Sequence, residues 1–168
     1  SNIQRMSSKS RPTAPAGFYQ PGRYRAEESV GYLMRRLLNS VTQAADRKLQ
    51  PHGVSYAQWA PLFKIGLGEA STVAELARAL QMDAGAMTRL LDRLEAKNLL
   101  KRVRSSEDRR VVQLELTPEG KQVADDVPVV LCEVMNAHLA GFSKAEFEAL
   151  RGYLLRMLDT AESLRESD

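Results

Sequence analysis

One cysteine, two histidines and a single tryptophan in 168 residues leave little material for several kinds of chemistry. A lone thiol, Cys132, cannot close a disulfide within the chain, and it fits a reducing compartment. The histidines and the cysteine are scattered, with no spacing that suits a zinc ligand set. No apolar run nears the roughly 18 residues that a membrane-spanning helix needs, and no secretory h-region stands out. The expectation is a cytoplasmic protein with no membrane partner. A Gly-rich phosphate loop, a Ser/His/Asp grouping in motif context and a paired-carboxylate motif are also missing. Asp125-Asp126 reads as an adjacent, solvated pair on a helix. The chain is therefore not expected to be an enzyme, and it calls for no cofactor and no metal.

What is present is a basic charge that is unevenly spread. The net charge is +3, and 43% of the residues are hydrophobic, enough for a core. Residues 1–25 hold five Arg or Lys (Arg5, Lys9, Arg11, Arg23, Arg25) and no acid, while residues 78–110 hold nine basic and five acidic residues. The remainder is net acidic. Cations gathered on two stretches suit a polyanion, because neutralising phosphates releases counterions; a solvated surface is the bland alternative.

Residues 71–120 organise the rest. Thr72 and Glu75 have capping-box spacing, and Val73, Leu76, Ala77 and Leu80 recur at helical spacing. Gln81-Met82 turns the chain, and Asp83 suits the N-cap of a second helix. There Met87, Leu90, Leu91 and Leu94 share one face. The other face carries Gly85, Ala86, Thr88, Arg89, Asp92, Arg93 and Lys97. A short helix, a tight turn and a second helix with a small, basic outer face make a helix-turn-helix candidate. Asn98 is the expected stop. Leu99–Val103 and Val111–Leu116 then flank RSSEDRR, which predicts a hairpin with a basic tip, a wing.

This segment resembles the winged helix-turn-helix of the MarR family of bacterial transcription regulators. The family's wing carries Asp-x-Arg, five residues, then Leu-Thr-x-x-Gly; here these are Asp108-Arg109-Arg110, VVQLE, and Leu116-Thr117-Pro118-Glu119-Gly120. TRLLDRLEAKNLLKR resembles the family's recognition helix and its exit. GVSYAQW resembles its Gly-x-Thr-x-x-Gln-Trp lead-in, with Ser55 in place of threonine. The fold class implied is mainly α with a small β-hairpin wing, carried between long terminal dimerisation helices.

The flanks agree. Residues 1–24, with Pro12, Pro15 and Pro21, read as a flexible basic arm, and residues 25–168 as one MarR-type domain. Within it, 25–54 and 117–168 are the expected dimerisation helices and 55–116 the winged helix-turn-helix. A helix over 26–50 carries a wide apolar stripe (Val30, Leu33, Leu37, Val41, Ala44, Leu49, widened by Met34, Leu38 and Ala45). Ser55 with Gln58 and Ser143 with Glu146 are further capping boxes. Thr117 caps a helix with Pro118 at its first position, and Pro128 predicts a kink or break near 124–128. Helices this long and apolar predict a two-fold homodimer.

For DNA contact the candidates are Thr72, Gly85, Ala86, Thr88, Arg89, Arg93, Asp108, Arg109 and Arg110. Gly85 and Ala86 are small enough to let the backbone approach a duplex. Thr88 can meet a thymine methyl or base edge, and Arg89 a guanine or a phosphate. Arg93, one turn on, suits phosphate. The alternative for both arginines is a surface ion pair with Asp92. The resemblance implies that Arg110 enters a minor groove, oriented by Asp108 through a charge-assisted bond; Arg109 competes for that role. Lys101 or Arg102 at the wing base would serve as phosphate contacts. The resemblance also implies release from a pseudo-palindromic operator by a small aromatic acid or phenol, with Tyr32, Arg36, His52, Trp59 and Phe63 as candidate ligand residues. Cys132, in VVLCEVM, is expected in the core, with an oxidant-sensing thiol as the alternative.

Overall fold

The computed structural model describes residues 14–165. The expectations for Arg5, Lys9, Arg11 and Pro12 of the N-terminal arm lie outside the described residues. The chain gathers into two compact units. One comprises Met34–His138; among the described residues, the other joins residues 14–33 to residues 139–165.

Six helices and two strands follow in order: α1 (Val30–Leu49), α2 (Tyr56–Gly66), α3 (Val73–Ala79), α4 (Ala84–Ala96), β1 (Leu100–Arg104), β2 (Val112–Leu116), α5 (Pro118–His138) and α6 (Lys144–Arg165). In the unit of residues 34–138, the core is made from one face of each element. Val41, Ala45 and Leu49 come from α1, Leu62 from α2 and Leu76 from α3. Met87, Leu90, Leu91 and Leu94 of α4 are all buried, as their spacing requires. Leu100 of β1, Leu114 and Leu116 of β2, and Val123, Val127 and Val134 of α5 join them.

Local chemistry fixes the ends. The Glu75 carboxylate accepts from the N–H groups of Ser71 (2.7 Å) and Thr72 (3.1 Å), and the Thr72 hydroxyl accepts from Glu75 N–H (3.2 Å). The helix-turn-helix bends at Gln81, and the chain leaves the end of α4 through Asn98, both left-handed at φ 52° and 59°; asparagine tolerates that conformation better than most side chains. β1 and β2 pair antiparallel, from Leu100 opposite Leu116 to Arg104 opposite Val112. Leu114 N–H also donates to the Ser71 carbonyl at 2.7 Å, tying the lead-in of α3 to the hairpin.

Two expectations need correction. α5 runs unbroken through Pro128; the ring removes one N–H from the ladder, and the packing of Val127 and Val134 holds the helix on both sides. Cys132 is exposed, not core, because the second half of α5 also turns Val129 and Met135 outward. The stripe of α1 enters the core through its second half, at Val41, Ala45 and Leu49, while Met34, Leu37 and Leu38 of its first half are exposed.

The other unit holds the start of α1 and all of α6. Ser29, buried, caps α1 by accepting from Tyr32 N–H (3.3 Å). Residues 14–24 of the arm are all exposed, yet the segment is tethered: the Tyr19 hydroxyl accepts from Val30 N–H (2.9 Å), and the Tyr19 and Tyr24 rings meet edge-on. The Ser143–Glu146 capping box forms, with bonds of 2.8 and 3.2 Å. α6 itself buries none of its 22 residues. Among the described residues no helix is long and apolar enough to cross a membrane.

Candidate nucleic-acid interface

α4 presents its outward face because its apolar face is locked into the core. Its first turn is organised by Asp83, whose carboxylate accepts from Ala86 N–H at 2.8 Å. That bond, then the N–H of Gly85, holds the Asp83 carboxyl below the usual carboxylate range, and the Arg89 charge adds to the effect. A Cβ on Gly85 would lie 3.2 Å from the Asp83 carboxylate and 3.6 Å from an Arg89 guanidinium nitrogen. The missing side chain therefore opens a seat in which Arg89 leans over the first turn towards Asp83. Thr88 donates its hydroxyl proton to the Ala84 carbonyl (2.9 Å), which leaves its methyl group as the outward feature. Thr72 spends its hydroxyl as the cap of α3.

Neither arginine of α4 pairs with Asp92. That carboxylate is taken by Arg102 of β1 (2.8 Å), whose other nitrogen reaches Glu95 at 3.2 Å. Arg102 thus clamps the hairpin to the flank of α4, and Lys101 pairs with Glu115 at 3.3 Å. Both expected phosphate contacts thus also hold carboxylate partners within the fold. Among the described residues, Arg93, Arg109 and Arg110 make no ion pair.

The wing tip is shaped by its own side chains. Ser105 N–H donates to the Val111 carbonyl (2.9 Å), and the Ser105 hydroxyl accepts from Glu107 and Asp108 N–H groups at 3.2 and 3.4 Å. Asp108 accepts from the backbone N–H of Arg110 at 3.0 Å. The expected Asp108–Arg110 bond is therefore made to the main chain. It fixes the turn and leaves both guanidinium groups of Arg109 and Arg110 exposed.

The candidate ligand residues fall on α1, the α1–α2 connection and α2. The Trp59 and Phe63 rings lie 5.8 Å apart, with Tyr56 on the far side of Trp59 at 6.4 Å. His52 faces Asp126 at 3.7 Å. Tyr32 and Arg36 sit one turn apart on α1. A cleft of about 440 Å³ opens among the end of α2, β2 and the start of α5, with Phe63, Leu67, Leu114, Leu116, Lys121 and Asp125 among its walls. Of the five candidates only Phe63 lines it.

Sequence reasoning assigned Lys97 to the outer face and gave Gln58 only a capping role. The structure joins them: the Lys97 ammonium donates to the Gln58 side-chain oxygen (2.9 Å) and the Gly53 carbonyl (2.8 Å). Partners about forty positions apart leave no local signal in a single sequence.

With its apolar face in the core, α4 turns small residues and arginines outward beside a two-stranded hairpin, and the chain falls in the class of winged-helix DNA-binding transcription regulators. The sequence profile described as the MarR family matches residues 54–112. The multiple antibiotic resistance protein MarR of Escherichia coli (strain K12) is 31% identical over 125 residues, covering 72% of this chain and 87% of that protein. The chain belongs to the MarR family. Solved structures agree: the S. aureus MepR–DNA complex superposes with a TM-score of 0.71 at 25% identity, covering 80% of this chain and 98% of that one. CouR from Rhodococcus jostii RHA1, bound to p-coumaroyl-CoA, shares the fold with a TM-score of 0.67 at 19% identity, over 79% of this chain and 94% of its own. The relatives that carry the family assignment are transcription regulators, not enzymes.

Proposed function

We propose that the chain is a cytoplasmic repressor that binds a pseudo-palindromic operator as a homodimer and is released by a small aromatic acid or phenol. The observation that carries the dimer is α6. None of its 22 residues is fully buried, and Leu154, Leu155, Met157 and Leu158 are large and apolar and stand exposed. An apolar helix of that length needs a second surface, and a two-fold copy supplies one. Basic residues on α4 and at the wing tip supply the duplex-facing side. The aromatic effector is supported by the Trp59–Phe63 pair and by the relative CouR, which binds p-coumaroyl-CoA.

An oxidant-sensing repressor is the second reading. It is favoured by the exposure of Cys132. Peroxide treatment of the wild type and of Cys132→Ser separates the two: release of DNA by peroxide in the wild type alone establishes the thiol sensor, and release by aromatic acid in both establishes the ligand sensor. Sedimentation of the full chain, alone and with a duplex it has selected from a random pool, tests the assembly. Two copies alone and two per duplex are expected; a folded monomer in both conditions overturns the reading.

A further inference from the structure

We propose that Lys97 is a positioning residue for DNA recognition, acting through Gln58 and the Gly53 carbonyl rather than by touching DNA. Periodicity puts this lysine at the end of the outward face of α4, where a phosphate contact is the obvious role. The structure turns it the other way. Lys97 closes α4, its N–H bonded to the Arg93 carbonyl (3.1 Å). Its ammonium then reaches back to the corner between α1 and α2, donating to the Gly53 carbonyl at 2.8 Å and to the Gln58 oxygen at 2.9 Å.

Both acceptors are held in place by the fold. Gly53 is left-handed at φ 72°, a conformation few other side chains adopt. Gln58 is buried, and its oxygen also accepts the Ser55 N–H at 3.1 Å. One amide oxygen thus caps the start of α2 and seats the ammonium that ends α4. The buried apolar face of α4 fixes which side of the helix turns outward; hydrophobic burial is itself non-directional, and polar bonds at the ends of the helix add direction to it. Lys97 supplies the directional bond at one end; Asp83 caps the other end and Arg102 clamps the flank. The corner that Lys97 grips is also joined to α5, through His52 and Asp126 at 3.7 Å. A displacement of that corner moves the end of α4 with it.

This inference rests on the reading of the chain as an operator-binding regulator, so the wild type is measured first. A duplex is selected by the wild-type full chain from a randomised pool, and a scrambled duplex of equal length serves as the non-specific probe. Lys97→Met should lower affinity for the selected duplex about tenfold, the scale of one lost charge-assisted bond, and leave affinity for the scrambled duplex unchanged. Its salt dependence should match the wild type. Gln58→Met should give the same selective loss, the double variant should lose no more than either single one, and Gln58→Glu should behave as wild type. If Lys97→Met weakens both duplexes equally and lowers the salt slope by about one unit, Lys97 is a phosphate contact and the proposal is wrong. It is equally wrong if both affinities hold and only the Tm falls. A wild type that enriches no sequence would overturn the operator reading itself, and the role of Lys97 with it.

Discussion

A Cβ placed on Gly120 would fall 1.8 Å from the carbonyl oxygen of Leu99. That carbonyl accepts the Thr117 N–H (3.1 Å), while the Thr117 hydroxyl donates to the Asn98 carbonyl (2.7 Å) and accepts the Gly120 N–H (3.0 Å). Four residues thus lock the exit of α4 and the return of β2 onto the first turn of α5. The Leu-Thr-x-x-Gly motif is the sequence trace of this knot. Threonine serves as both donor and acceptor, and glycine is the only residue that leaves room for the carbonyl.

Gly120→Ala should therefore be costly, because the obstructing atom is main chain and cannot swing away. We expect a loss of about 3 kcal/mol, at the upper end for an overpacked site, and a fall in Tm of about 6–12 °C for a chain of this size. Thermal unfolding followed by circular dichroism measures it. A Tm within two degrees of wild type, if seen, means that the approach is looser than described.

Arg102 and Asp92 should be energetically coupled, since the wing has few other polar ties to α4. The Arg102 side chain is only 25% exposed and bridges two carboxylates. A double-mutant cycle with Arg102→Met and Asp92→Ala should give a coupling of about 0.5–1 kcal/mol. Strictly additive losses would show that the clamp holds nothing.

These ties also mark what was legible beforehand. The helix-turn-helix could be read because its signals are local: Met87, Leu90, Leu91 and Leu94 lie on one face by spacing, and Thr72 with Glu75 or Ser143 with Glu146 cap over three residues. The candidate face of α4 followed by subtraction. The partners of Lys97 and Arg102 are not legible in the sequence because tertiary packing sets them; with only helix periodicity to go on, a terminal lysine looks solvated. Cys132 was misread for a related reason. Apolar neighbours at 129–135 suggest core, but whether that face of α5 meets this chain or another surface is not encoded locally.

Asp83→Asn should flatten the acid side of the stability profile. The Asp83 pKa is lowered in the fold by the Ala86 and Gly85 N–H groups and by Arg89. A carboxylate so depressed contributes stability that is present above its unfolded pKa, near 3.8, and is lost as pH falls through the lower folded value. Asparagine keeps the cap and removes the titration. Tm measured from pH 7 to pH 2 should fall less steeply for the variant; parallel curves would exclude Asp83 as a contributor.

Leu154→Glu with Leu158→Glu, one turn apart on α6, should dissociate the proposed dimer. Leu158 is 59% exposed in the single chain, so the change buries no charge within the protomer. The expected product is a folded monomer with weakened operator binding, seen by sedimentation and by titration of the selected duplex. An unchanged dimer would move the interface off this face.

The last prediction separates the helix from the wing. Arg89 leans over Gly85 towards Asp83, an arrangement that orients it at the end of α4 that enters a major groove in helix-turn-helix docking. Arg89→Ala should cost about 1–3 kcal/mol of binding and relax preference at one position per half-site. Arg110 stands on a turn fixed through its own N–H by Asp108, with its guanidinium free to enter a narrow minor groove and read width rather than a base code. Arg110→Ala should weaken binding most on operators with A·T-rich flanks; Arg109→Ala, the competing choice, should show that flank dependence only if the roles are exchanged. Arg102→Ala should leave the salt slope unchanged, because its charge is spent on Asp92 and Glu95, whereas loss of a true phosphate contact lowers the slope by about one unit. The measurement is affinity against salt for the four substitutions, on duplexes varied within the half-site and in the flanks. Should Arg89→Ala and Arg110→Ala weaken every duplex equally, neither residue reads DNA in the way proposed, and the family fold would here be carrying a different division of labour.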